Sequence, residues 1–332
     1  MLYMKELLRR IVPISLWHWC VKQRILYNQR KLARIQIKRE ELYSNTFNRS
    51  KSANLSLLMA TSHVLEKGLT MPNPHLGFGF EMIRSVGALC EQCIELYGSK
   101  HLEIQAALAD LNQYNELHKC SNYNLPKDIQ DKLDALIPYL TIKDENCYEA
   151  NVEDFFKPAT SFYEFAYQRH TLRWFSDREI ERDTLNKVFK LAQTAPSACN
   201  RQATRVKVIS DKDKIMGLTE IQNGNRGFGY MANKWILLTS EQSNWECGQQ
   251  DMAYIDVGIF AMNLLYALHY YGIAACTLNA HLSLEKQNKL RTLLGLPETE
   301  IPCLFMAIGY PPTKFMVARS RRLELESIVS YL

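Results

Sequence analysis

Apolar positions in the first 150 residues recur at helical spacing. The stretches Leu7–Arg39, Leu55–Leu65, Phe80–Leu96, Ile104–Leu117 and Ile129–Leu140 each place them at three- and four-residue steps, and strand-like alternation is nearly absent. Between the second and third stretches, Glu66–Gly79 contains two Pro and three Gly and reads as an ordered loop. Thr141–Phe156 is polar and acidic and reads as a linker.

Beyond residue 160 the periodicity alternates. Helical spacing covers Ser161–Gln168, Asp183–Gln193 (with Leu185, Val188, Phe189 and Ala192 on one face), Asp251–Tyr271 and Leu284–Leu294. Gly272 and Gly295 mark the ends of the last two. Strand patterns fall at Arg205–Ile209, Lys234–Thr239, Ile273–Leu278 and Ile301–Gly309. Helices interleaved with strands predict a sheet with helices on its faces. The chain therefore divides into a helical region, residues 1–150, and a mixed domain, residues 160–332. No internal repeat is present.

Composition changes this picture little. The 332 residues are 47% hydrophobic and 23% charged, with 14 Gly and 11 Pro, which is ordinary for a globular protein. The net charge of +5 is local, because residues 1–42 hold ten Lys or Arg against three Glu. That segment reads as a solvated helix face, with a weak contact to an anionic membrane surface as the alternative; a nucleic-acid role is not expected. Asp251–Tyr271 reads as a buried soluble helix rather than a span, and Ile11–Val21 is too short for one. The nine irregularly spaced cysteines suit reduced thiols in a cytoplasm. Cys90 and Cys93 form a C-x-x-C within a helical pattern and read as packed side chains, so no metal is expected.

Three segments carry candidate chemistry. Arg169-His170-Thr171-Leu172-Arg173 offers two guanidinium groups and a hydroxyl, suited to a phosphate; the two Arg share a face if the segment is helical. Ala195–Gln202 places Ser197, Asn200 and Gln202 ahead of a strand, where small and amide side chains suit the polar edge of a heterocycle. Cys199 inside it reads as a small packed residue. Near the C-terminus, Arg319, Ser320, Arg321 and Arg322 form a second set of phosphate donors. No G-x-G-x-x-G fingerprint for a dinucleotide accompanies them.

In this order, and together with Asp256–Ala267 and with Gly295-Leu296-Pro297-Glu298 leading to Ile308-Gly309-Tyr310-Pro311, the segments resemble the nitroreductase family of FMN enzymes over residues 160–332. The stretch His63–Pro74 looks like the helical N-terminal extension of a subgroup associated with bacterial polysaccharide-biosynthesis loci. The resemblance implies an α+β fold, a nitroreductase-like sheet flanked by helices and preceded by an all-α region, assembled as a homodimer with FMN at the interface. It implies that Arg169, His170 and Thr171 meet the phosphate and ribityl chain, and that Arg173 approaches the flavin pyrimidine edge. Ser197 and Asn200 would reach the flavin of the partner subunit, with Gln202 in the same loop, and Asn225 would touch the ring. Arg319, Ser320 and Arg322 would close on the phosphate, with the choice among Arg319, Arg321 and Arg322 open by a residue or two. NAD(P)H would reduce the flavin, which would then reduce a small-molecule acceptor, with no side-chain acid or base required. The competing class is a non-catalytic scaffold docked through the basic N-terminal helix. His63 and Glu66 read as structural, or as part of a lid.

Overall fold

A computed structural model describes residues 13–43, 50–247 and 249–332. The helices of the N-terminal region are α1 (Ile14–Tyr43), α2 (Lys51–Leu69), α3 (Phe80–Tyr97), α4 (Leu102–Cys120) and α5 (Lys127–Leu136). The part of the first helix expected before Ile14, residues 7–12, lies outside the described residues. Helices α2, α3 and α5 each bury one face against α4, which is buried on all sides from Ile104 to Leu111, in a common core holding Leu58, Ile83, Val86, Leu108, Leu111, Ile129 and Leu133. Cys90 and Cys93 are packed in it.

Helix α2 runs on to Leu69, so Glu66–Leu69 is the last turn of a helix rather than the start of a loop. The helix survives Gly68 because its neighbours pack well, a tertiary gain larger than the ~1 kcal/mol intrinsic penalty of one Gly. The loop that follows is pinned by α4. The Tyr114 hydroxyl donates to the Phe78 carbonyl at 2.7 Å, and His118 Nε2 accepts from the Gly77 amide at 2.8 Å.

The second region is built on four antiparallel strands in the order β2-β3-β5-β4, with β2 Thr204–Ile209, β3 Lys234–Glu241, β4 Ala274–Asn279 and β5 Glu300–Gly309. Alternation along β3 decides its two faces. Trp235 and Leu237 join a core with α9 (Lys212–Ile221) and α11 (Leu284–Leu294). Ile236 and Leu238 join one with α8 (Arg182–Ala192) and α10 (Gln250–Tyr270). Helix α10 is long and apolar enough to cross a membrane by length and composition alone, but here it packs on α8 and the sheet.

Four elements escaped the sequence reading: the helix α9, the strand Lys314–Ala318 and two in the supposed linker. The supposed linker Thr141–Phe156 contains β1 (Cys147–Asn151) and a short helix α6 (Val152–Phe155). Strand β1 pairs antiparallel with β6 (Lys314–Ala318), from Cys147 opposite Ala318 to Asn151 opposite Lys314. Cys147 and Ala318 also sit in the helical core, so this ribbon ties the extension to the chain's far end. Five-residue strands have little periodicity of their own; a partner some 165 residues away makes them.

The segment from Arg169 is likewise not helical. Helix α7 (Phe162–Gln168) stops at Arg169, whose ψ of 114° is extended, and the Leu172 amide donates to the Ala275 carbonyl beside β4 at 3.2 Å. Leu172 and Phe175 anchor it in the core.

Candidate functional site

The extended run from Arg169 brings its residues against both the extension and the C-terminal segment. Arg169 is half-buried, its Nε is enclosed without a hydrogen-bond partner, and burial and the like charge of Arg322 push its pKa down. His170 donates from Nδ1 to the Gln168 carbonyl at 3.0 Å and lies edge-on to Tyr148. Burial, together with Arg169, Arg322 and Arg319, lowers its pKa, so the ring is neutral at pH 7. Thr171, the next residue, is half-buried. Arg173 is buried, and its Nε is also unpartnered.

The geometry separates the three C-terminal arginines. Arg321 is committed to the protein, donating to Asn146 Oδ1 at 2.6 Å and the Asp144 carbonyl at 2.7 Å. Arg319 donates from Nε to the Glu145 carbonyl at 2.8 Å and stacks over Tyr148. Arg322 donates to the Ser320 carbonyl and is near enough to Arg169 and His170 to shift both. Among the described residues, no carboxylate is in direct contact with Arg169, Arg173, Arg319 or Arg322; Glu66 acts on Arg173 from across His63. Like charges gathered in this way are unfavourable by themselves and are relieved by an anion. Two buried Nε atoms without acceptors therefore fit the phosphate and polar groups of a flavin nucleotide.

Helix α2 supplies residues that the sequence reading left outside the site. His63, Glu66 and Lys67 share one face at three- and four-residue spacing. His63 Nδ1 meets Glu66 Oε2 at 2.9 Å, and its Nε2 lies 3.4 Å from Arg173 Nη2. Glu66 is buried, and it accepts from the Ser320 amide at 3.0 Å and the Ser320 hydroxyl at 3.3 Å. Those bonds hold Ser320 at φ 48°, a left-handed conformation uncommon for a non-glycine residue. Lys67 Nζ donates to the Gly224 carbonyl at 3.0 Å. The H-x-x-E-K spacing at a helix end was the available signal, but its partners lie some 110 to 254 residues away.

Beneath the arginines, Asp110 accepts from the Ser62 hydroxyl at 2.5 Å and from Asn146 Nδ2 at 2.8 Å. Asn146 in turn receives Arg321, so this network fixes the start of the basic segment. Burial raises the Asp110 pKa to about 7. The folded protein thus binds a proton that an unfolded carboxylate, near pKa ~4, releases. Stability from this group is full below about pH 4 and falls as pH rises through 7. Asp110→Asn keeps the shape and both bonds without the charge. Urea titrations at pH 5 and pH 8 are expected to show the variant gaining on the wild type at the higher pH; parallel losses would show that Asp110 is not protonated in the fold.

The loop before β2 is placed elsewhere. The Ala198 amide donates to both Asp256 carboxylate oxygens at 3.1 Å, near the start of α10. Arg169 and His170 interact with Tyr266 and His269, near its end. At 1.5 Å per residue, the two regions are roughly 15–20 Å apart along one helix. Ser197 Oγ accepts from the Gln202 amide at 3.0 Å, and Gln202 Nε2 donates to Asn200 Oδ1 at 3.1 Å. Cys199, Asn200 and Gln202 all have positive φ. Cys199 is exposed, not packed; the left-handed turn carries its side chain outward. Asn225 is buried, with its amide donating to the carbonyls of Gln222 and Thr219. Its visible work is to hold the 222–229 loop, where an added Cβ at Gly229 would run into it.

The fold is an α+β domain with helices on both sheet faces, and a partly buried arginine cluster lies where it meets the helical region. The nitroreductase family model matches residues 166–225 and 218–310. A Putative NADH dehydrogenase/NAD(P)H nitroreductase of Archaeoglobus fulgidus is 30% identical over 148 residues, 44% of this chain and 82% of that protein. An iodotyrosine deiodinase of Haliscomenobacter hydrossis is 27% identical over 224 residues, 59% of this chain and 96% of that protein. The solved structure of a Putative NADH dehydrogenase/NAD(P)H nitroreductase from Parabacteroides distasonis has 19% identity and a TM-score of 0.45, covering 51% of this chain and 96% of that one. The chain belongs to the nitroreductase family, and so to the flavin-dependent oxidoreductases in general.

Proposed function

We propose that the protein is an FMN-dependent oxidoreductase in which NAD(P)H reduces the flavin and the flavin reduces a small-molecule acceptor. The observation that carries this reading is the buried, unpartnered Arg169 Nε beside Arg322, with no carboxylate among the charged groups that act on Arg169. Arg169 and Arg322 hold the phosphate, with Arg319 at its edge. Ser320 and Thr171 add hydroxyls, and Arg173 meets the ring end. His170, neutral and tied to Gln168, packs the ribityl side rather than pairing with the phosphate. A bound flavin supplies hydride acceptance and release, while the protein binds, orients and screens. A scaffold has no use for two desolvated guanidinium groups, which opposes the non-catalytic alternative. Heat-released cofactor from purified protein is expected to have the mass of FMN. FAD, or colourless protein that takes up no FMN, would refute the assignment.

The same reading makes the protein a homodimer. Helix α10 exposes Tyr254, Ile255, Ile259, Met262 and Tyr270, an apolar stripe left uncovered by the chain's own packing. The Ser197–Gln202 loop lies too far along α10 to share a ligand tightly with its own Arg169, and a second copy is the natural donor of that loop. Light scattering at micromolar concentration is expected to give twice the 38.5 kDa of one chain. A flavin-loaded monomer would rule out a shared site.

A further inference from the structure

Arg169 and Arg173 are four residues apart in an extended run, so their backbones are separated by at most about 13 Å. Two cationic groups form around them. One comprises Arg169, Arg319 and Arg322 at the phosphate end. The other comprises Arg173 and Lys67, which both act on the buried Cys276, with the exposed Arg226 acting on Lys67. A flavin mononucleotide has two places for negative charge: its phosphate, and the pyrimidine side of its ring once a hydride has arrived without an accompanying proton. The first cluster answers the phosphate. In the second, Glu66 acts on Arg173 only from across His63, the Arg173 Nε is buried without a partner, and no phosphate is left for it.

Resting on the flavin reading above, we infer that Lys67, contributed by the helical extension from outside the matched family region, is with Arg173 a cation for the charge the ring gains on reduction. Lys67 stands in the last turn of α2, half-buried, with one donor on the Gly224 carbonyl; an ammonium has two more to give. Its neighbour Glu66 does not neutralise it, because that carboxylate is taken by His63 and Ser320. Burial and the like charges of Arg173 and Arg226 lower the Lys67 pKa, the strain of a cation cluster that a negative ring relieves. A hydride transfer from NAD(P)H brings two electrons and one proton to the flavin, which becomes singly more negative while the nicotinamide becomes NAD(P)⁺. Positive charge placed at that side favours the reduced state over the oxidised one.

The test uses full-length, FMN-loaded protein and the variants Lys67→Met and Lys67→Arg. Two quantities are measured: the dissociation constant of oxidised FMN, and the midpoint potential of bound flavin by dye equilibration. Lys67→Met is expected to weaken binding of the reduced flavin about tenfold more than that of the oxidised form, a shift of ~30 mV to more negative potential for a two-electron couple. Lys67→Arg is expected to restore the wild-type potential. An unchanged potential in Lys67→Met overturns the inference, as does equal loss of both redox forms, the mark of a merely structural residue. So does a rise in KM for anionic acceptors with no change in potential, which would assign Lys67 to the acceptor instead. Wild-type protein that binds no FMN removes the flavin reading itself, and this inference with it.

Discussion

Replacing Arg169 by alanine is expected to weaken FMN binding by roughly 10- to 100-fold. The lost contact is a charge-assisted hydrogen bond from a half-buried arginine, worth ~1.5–3 kcal/mol. The fold itself desolvates the Arg169 Nε, which is buried without a protein partner; an anion would supply one. Arg322→Ala is expected to behave similarly, because Arg322 is the C-terminal arginine whose charge reaches Arg169. Arg321→Ala is the contrast. Its guanidinium is spent on Asn146 and the Asp144 carbonyl, so its loss should lower stability while changing the FMN dissociation constant less than about threefold, under ~0.7 kcal/mol. Fluorescence titration of flavin-free protein separates the cases. If Arg321→Ala loses flavin as severely as Arg322→Ala, the assignment among the three arginines is wrong; if Arg169→Ala keeps wild-type affinity, the phosphate site is elsewhere.

The largest expected effect on stability is that of Trp235→Ala, about 3–5 kcal/mol. Trp235 is fully buried in the central strand β3. Its ring meets Phe305 edge-on, with centroids 5.9 Å apart, and its Nε1 donates to the Gly229 carbonyl at 2.9 Å. Truncation would open a cavity between the sheet and its helices and leave that carbonyl with only the Ala232 amide, at 3.4 Å. The carbonyl closes the 222–229 loop, which carries Asn225 and receives Lys67 at Gly224, so flavin retention should fall as well. Trp235→Phe fills most of the space but loses the hydrogen bond, and should cost less than half as much. A denaturant-derived loss below ~1 kcal/mol for the alanine variant would mean that this position does not organise the core.

Much of the framework was readable because it is local. Leu185, Val188 and Ala192 repeat at the spacing of one buried helix face, and all three are buried on α8. The run Lys234–Thr239 lacks any polar alternation and became the strand with sheet partners on both sides. Gly295 ends α11 in the left-handed conformation that favours glycine. The phosphate-seeking residues were also visible, since only a few side chains bind anions in a fork, and the chain places them in two dense clusters. Their local geometry was left open, conditional on a helix. Arg169 and Arg173 share the site through an extended run, not through a helical face, because Leu172 and Phe175 are pulled into the core and the Leu172 amide is taken by Ala275.

By itself the sequence determined the helical extension, the sheet with its flanking helices, the family, and which arginines were candidates. Those follow from periodicity and side-chain chemistry, which act over a few residues. Only the tertiary structure decided that β1 and β6 exist and that Arg321 is structural while Arg322 faces Arg169. It also decided that His63, Glu66 and Lys67 of α2 stand at the arginine cluster. Each depends on contacts across more than a hundred residues, where the pairing energy belongs to both segments jointly and leaves no periodic trace in either one.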